Sequence, residues 1–289
     1  MNQKIIDLYD AYTHGFIARR EFLHKLALLA GGATAASALL PLLENDYANA
    51  EVISKDDPRL HTDTIEYPAE TGKIIAYLAR PKGETKLPGV IVIHENRGLN
   101  LHIKDVARRV ALAGFLALAP DALSPFGGTP EDADEARSLI GKLDSQSNLK
   151  NFLAAVTYLK THPESTGKIG AVGFCWGGAM ANQLAVHSPD LLAAVPYYGS
   201  QPAAEEVPKI KASLLLHYAG LDQRINQGIA AYEEALKKAS VDYKVYVYEG
   251  ANHAFNNDTN TARYDRRAAE LAWERTVAFL KVKLAGNDR

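Results

Sequence analysis

Short, continuous apolar runs recur along the chain at 88–94, 115–119, 168–174, 192–198, 212–218 and 243–248, with a shorter one at 75–78. Turn residues punctuate them: Pro88-Gly89 opens the first, Gly114 precedes the second and Pro120-Asp121 closes it. Runs of this length that are apolar on both sides suit strands buried on both faces. Between them the period changes. In 102–113, Ile103, Val106, Val110 and Ala113 fall on one side, with Lys104, Arg108 and Arg109 on another, which is helical spacing. Similar helical stretches are predicted over 133–143, 149–160, 177–187, 227–239 and 263–284. Alternation of this kind predicts an α/β fold: a mostly parallel sheet with helices on both faces. Ligand sites on such sheets lie at the carboxyl ends of the strands. The residues just after each strand therefore carry the functional question.

Composition narrows the classes. The 289 residues are 47% hydrophobic and 23% charged, an ordinary globular balance. Lys+Arg 32 against Asp+Glu 34 gives a net charge of −2, with no basic excess to neutralise phosphates, so nucleic acid is not expected as a partner. The single cysteine excludes an intramolecular disulfide and a Cys-rich metal site. His94-Glu95 begins like a zinc-protease helix, but Gly98 stands where its second histidine belongs, and the pair His94 and His102 carries no metal claim. Gly167, Gly170 and Gly173 are spaced three apart and form neither a phosphate loop nor a dinucleotide fingerprint. Neither metal nor cofactor is expected.

Residues 1–50 read differently from the rest. Arg19-Arg20-Glu21-Phe22-Leu23 precedes a weakly apolar, Ala- and Gly-rich run over 26–43, and Ala48-Asn49-Ala50 follows as an A-x-A cleavage signal. That order of charged region, apolar region and small-residue site is that of a secretory signal peptide. The arginine pair followed by Phe-Leu resembles a twin-arginine signal, which implies export to the periplasm through the Tat machinery, read at Arg19 and Arg20. Cleavage after Ala50 would leave a single domain over 51–289. The rival expectation is a membrane anchor through 26–43, weakened by Gly31, Gly32, Thr34, Ser37 and Pro41.

Three strand ends assemble a catalytic set. Gly173-Phe174-Cys175-Trp176-Gly177 follows an apolar run and opens a helix, the frame of a strained strand-to-helix turn that presents a nucleophile, here cysteine. A helix N-terminus behind the sulfur favours thiolate. The run 212–218 leads to Ala219-Gly220-Leu221-Asp222, and 243–248 leads to Glu249-Gly250-Ala251-Asn252-His253. The chain order nucleophile, acid, histidine is that of α/β-hydrolases. In such a set the histidine moves the proton and the acid holds its tautomer.

With Ile93-His94-Glu95-Asn96-Arg97-Gly98 and Asn252-His253-Ala254-Phe255 added, the chain after residue 60 resembles the dienelactone hydrolase family. The resemblance implies an α/β-hydrolase fold, a Cys175–His253–Asp222 triad, and hydrolysis of a small-molecule lactone or carboxylic ester. It further implies that Glu95 assists activation of the cysteine and that the backbone N–H groups of Trp176 and Arg97 form the oxyanion hole. Family members anchor a substrate carboxylate with arginines. Here Asn256, Asn257 and Asp258 follow the histidine motif, so Arg97 and Arg137 are the candidate replacements. The alternative is a silent α/β-hydrolase serving as an exported ligand-binding or interaction protein.

Overall fold

The structure, a computed structural model, describes residues 1–47 and 51–285. The expected cleavage signal Ala48-Asn49-Ala50 lies outside the described residues. Eight strands form one sheet: β1 (Leu60–Ala69), β2 (Gly72–Pro81), β3 (Leu87–Ile93), β4 (Leu116–Pro120), β5 (Ser165–Phe174), β6 (Leu191–Tyr197), β7 (Ser213–Ala219) and β8 (Tyr243–Tyr248). Their spatial order is β1-β2-β4-β3-β5-β6-β7-β8. The β1–β2 and β2–β4 pairs are antiparallel and the other pairs parallel. The sheet is therefore mostly parallel, as the apolar runs predict.

The helices of this layer structure are α4 (Leu101–Leu112), α5 (Ala133–Ile140), α6 (Ser145–Thr161), α7 (Trp176–His187), α8 (Gln223–Asn226), α9 (Ile229–Lys238) and α10 (Arg266–Leu284). Ile103, Val106 and Val110 of α4 share one apolar core with Ala272 and Leu280 of α10. Phe152 and Leu159 of α6, Leu184 of α7 and Leu236 of α9 belong to a second core on the opposite face. Each apolar stripe covers one side of the sheet, and strands apolar on both sides are the only ones that satisfy both layers.

Two elements depart from the sequence reading. Strand β1 is not foreseen, because Leu-His-Thr-Asp-Thr-Ile-Glu-Tyr-Pro-Ala is polar. It lies at the sheet edge, where only Leu60 and Tyr67 are buried and Pro68 costs no inner ladder bond. The helix expected over 227–239 is two helices: Asp222 caps α8, and Gly228 starts α9.

Residues 1–47 fold as α1 (Gln3–Thr13), α2 (Arg19–Ala30) and α3 (Ala33–Leu43). Ile5, Tyr9, Tyr12, Phe22, Leu26, Ala36 and Leu43 form a small core of their own, against which Ala262 packs. This segment also contacts the chain beyond residue 50. Arg19 pairs with Asp134 at 2.6 Å and the Asp46 N–H donates to the Thr259 carbonyl at 2.8 Å. Among the described residues no single helix is long and apolar enough to cross a membrane; α2 and α3 reach that composition only as a pair bent by 112°.

Candidate active site

The site begins where β5 stops. Cys175 joins β5 to α7 with φ 54° and ψ −113°, a left-handed backbone that costs energy for a residue with a Cβ. The strain is held by close packing. A Cβ at Gly173 would lie 2.0 Å from the Gly177 carbonyl oxygen, and one at Gly177 would lie 2.4 Å from the carbonyl oxygens of Ile93 and His94. Only glycine permits strand and helix to approach this closely. The Cys175 N–H donates to the Tyr197 carbonyl at 3.0 Å, which fixes the turn on the neighbouring strand. The thiol consequently sits at the carboxyl edge of the sheet and at the N-terminus of α7. Trp176 is the first residue of α7, so its N–H has no partner within the helix.

Asp222 and His253 follow β7 and β8. Asp222 divides its carboxylate: Oδ1 accepts from the Ile225 N–H at 3.2 Å and caps α8, while Oδ2 meets His253 Nδ1 at 2.5 Å. With Nδ1 so held, Nε2 is the nitrogen left for proton exchange. It is buried and has no hydrogen-bond partner among the described residues. Cys175 Sγ, one nitrogen of His253 and one nitrogen of His14 all lie within 4.8 Å of one another.

This grouping shifts the charges. Burial alone would push the Cys175 thiol up, but the imidazoles of His253 and His14 outweigh it and bring it down to about 6. Burial would lower His253, yet the Cys175 sulfur, Asp10 and Asp222 raise it to about 10. Burial opposes ionisation of Asp222 too, and the hydrogen bond from His253 overcomes it, so its carboxyl is held below the usual range. All three shifts favour a thiolate–imidazolium pair beside a carboxylate. By distance alone the sulfur and two imidazoles could take a metal ion. The Arg224 guanidinium lies 3.1 Å from His14 Nε2.

The loop after β3 brings in Glu95 and Arg97. His94 locks it: Nδ1 is 2.6 Å from the Glu95 carbonyl, Nε2 accepts from the Ala122 N–H at 3.1 Å, and the ring stacks on Trp176. Glu95 is buried and lines a small cavity together with Cys175 and His253. Its Oε2 accepts from Asn257 Nδ2 at 2.6 Å, and Asn257 is oriented by Thr259, whose N–H and hydroxyl both donate to its Oδ1. Among the described residues Glu95 forms no ion pair with Arg97 or Arg109.

Arg97 lines the same small cavity as Glu95 and Cys175. Its side chain is buried, and Nη2 donates to the Tyr9 hydroxyl at 3.4 Å, so the cation faces the N-terminal helices. Arg137 lies 3.5 Å from Asp134 and donates to the Tyr12 carbonyl at 2.6 Å, but it also lines the main cavity, about 680 Å³, with Cys175 and His253. Two lining residues were missed by the sequence reading. Arg224 follows Asp222 by two positions and reaches the same cavity, with Nη2 3.5 Å from His253 Nδ1. His14 comes from the segment read as a leader, and its Nε2 lies 3.4 Å from Cys175 Sγ. Position relative to a strand end could have found Arg224. No local signal marks His14.

Comparison with known proteins adds an independent line. The model of the dienelactone hydrolase family matches residues 74–284, and a second model, described as YqhI-like, matches residues 1–32. A protein of Saccharolobus solfataricus named "Putative carboxymethylenebutenolidase" is 34% identical over 255 residues, covering 75% of this chain and 97% of its own. A Bradyrhizobium protein named "Probable 2-oxo-3-(5-oxofuran-2-ylidene)propanoate lactonase" is 34% identical over 226 residues, covering 73% of this chain and 90% of its own. The crystal structure titled "Putative Dienelactone Hydrolase" from Klebsiella pneumoniae superposes with a TM-score of 0.69 at 29% identity, covering 76% of this chain and 97% of that one.

Proposed function

The chain belongs to the dienelactone hydrolase family, and from that premise we propose that it hydrolyses a lactone or carboxylic ester with Cys175 as nucleophile. The single observation that carries the reading is the Asp222–His253 contact of 2.5 Å, with His253 Nε2 left unpartnered beside the thiol. In this mechanism the sulfur attacks the acyl carbon and forms a tetrahedral intermediate. The oxyanion is held by the N–H groups of Trp176 and Arg97, donors of a kind worth about 2.7–4 kcal/mol each. His253 gives its proton to the leaving oxygen, and the C–O bond breaks to leave a thioester. A water then loses its proton to His253 and attacks the thioester, releasing the acid and restoring the thiolate. Glu95 stands ready to exchange a proton with the thiol when substrate enters. Arg137 and Arg224 give the cavity a positive wall, which favours an acyl or lactone substrate bearing a carboxylate.

The test is a panel of lactones, aryl esters and thioesters assayed with the wild type and Cys175→Ala. Turnover of at least one class, lost in the variant, is the expected result. Wild-type rates in Cys175→Ala would overturn the mechanism, and silence of the wild type on the whole panel would favour a binding role.

A further inference from the structure

The mechanism above uses nothing from residues 1–47, yet that segment reaches the nucleophile. His14 ends α1, and its Nε2 lies 3.4 Å from Cys175 Sγ. Its Nδ1 is 2.8 Å from the Asp10 carbonyl and 3.4 Å from the Asp10 carboxylate, which orients Nε2 towards the sulfur. The ring meets that of His253 edge-on, with centroids 4.7 Å apart.

The segment around His14 is clamped by the loops that carry the catalytic set and by Arg137 of α5. Asn96, next to Glu95, donates to the Thr13 carbonyl at 2.8 Å, and Arg137 donates to the Tyr12 carbonyl at 2.6 Å. Gln3 donates to Asn252, next to His253, at 2.6 Å. Arg224, just beyond Asp222, lies against His14 Nε2 itself, and Arg263 meets Asp10 at 3.5 Å. Three strand-end segments and helix α5 thus hold one stretch of chain, and the group they deliver is an imidazole against the sulfur. Surface decoration would not need a partner on each of them.

We propose that His14 is a further catalytic group of this site, a second imidazole that shares the Cys175 proton and holds the thiolate ready for attack. The inference rests on the reading of Cys175 as the nucleophile. The step is a proton transfer only: the S–H bond of Cys175 breaks, N–H forms at an imidazole Nε2, and the electron pair stays on sulfur. Other charged and titratable groups bear on the same sulfur. His253 comes after β8 with Asp222 behind it, Arg224 from α8, Glu95 from the loop after β3, Tyr198 after β6, and Asp10 from α1. Removing His14 leaves all of these in place. The thiol then loses one of the two imidazoles that draw it down and moves up.

The experiment is the pH dependence of Cys175 alkylation by iodoacetamide in the full chain, for wild type, His14→Gln and His14→Ala. Cys175 is the only cysteine, so the adduct is unambiguous. The midpoint is expected to rise by about one pH unit in both variants, with the rate at pH 6 falling about fivefold, because only thiolate reacts. Thermal melts check that the variants fold; His14→Gln keeps a polar side chain of similar reach should the alanine variant fail. A midpoint unchanged in folded His14→Gln overturns the proposal. Alkylation needs no substrate, so failure of the hydrolase reading, seen as silence on every ester, is distinguishable from failure of this one.

Discussion

Asp222 serves His253 and its own helix with different oxygens: Oδ2 sits 2.5 Å from His253 Nδ1, while Oδ1 caps α8 through Ile225. The division separates orientation of the histidine from local stability. Asp222→Asn retains an oxygen for the cap but misorients the imidazole. Its kcat is expected to fall on the order of 10³–10⁴-fold with little change in melting temperature. Asp222→Ala loses the cap as well, at a further cost of about 1 kcal/mol in denaturant unfolding. Equal stability losses in the two variants would contradict this division.

The pH profile follows from the two largest shifts. Cys175 is lowered to about 6, so thiolate accumulates as pH rises through that value, well below the ordinary thiol range. His253 is raised to about 10, so its proton remains available for the leaving group until pH exceeds that value. A profile of kcat/KM rising near pH 6, flat through neutrality and falling near pH 10 is the expected outcome. An acid limb near pH 9 would mean that the imidazoles do not hold the thiolate.

Glu95 is a negative charge in the cavity that contains the thiol, fixed there by Asn257. Glu95→Gln keeps an acceptor for Asn257 and removes the charge. Loss of a nearby anion favours thiolate, so the alkylation midpoint should move down, opposite to the shift expected for His14→Gln. Turnover should nevertheless fall at least about tenfold if Glu95 exchanges a proton with the thiol once substrate enters. Unchanged turnover and an unchanged midpoint together would reduce Glu95 to a structural partner of Asn257.

Arg137 and Arg224 line the main cavity with Cys175. Substituting either by Met preserves much of the apolar stem and removes the charge. KM for esters bearing a carboxylate should rise about tenfold or more, as one charge-assisted hydrogen bond is worth about 1.5–3 kcal/mol. KM for neutral esters of the same size should change much less. Equal effects on both series would show that the cations do not select substrate.

The docked segment and the targeting reading make different claims on residues 1–50. A working enzyme that uses His14 must retain it. The intact mass of active protein isolated from its native cell is expected to include residues 1–47. A mature N-terminus at Glu51, with full activity, would return those residues to the role of a leader.

The strands that build the site were legible because a strand buried on both faces must be a continuous apolar run, and four of them end at residues with evident chemistry. Cys175, Asp222, His253 and Glu95 could each be named from their place after such a run. The glycines around Cys175 could be read as well, since their need is local to a strand-to-helix turn. Strand β1 escaped because an edge strand answers to water on one side and carries no such run.

The contacts among these residues are a different matter. Arg97, a candidate anchor by its place after Glu95, lines the small cavity with Cys175 but points Nη2 at the Tyr9 hydroxyl, a contact that sequence position does not reveal. His14 is 161 residues from Cys175 and 210 from Arg224. Nothing in its neighbourhood distinguishes it from any histidine after an amphipathic helix. Local pattern determines which segments become strands and helices, since burial periodicity is a property of neighbours along the chain. Which imidazole reaches the sulfur is decided only when distant segments pack, because hydrogen bonding and charge act through space at a few ångströms and are indifferent to chain separation.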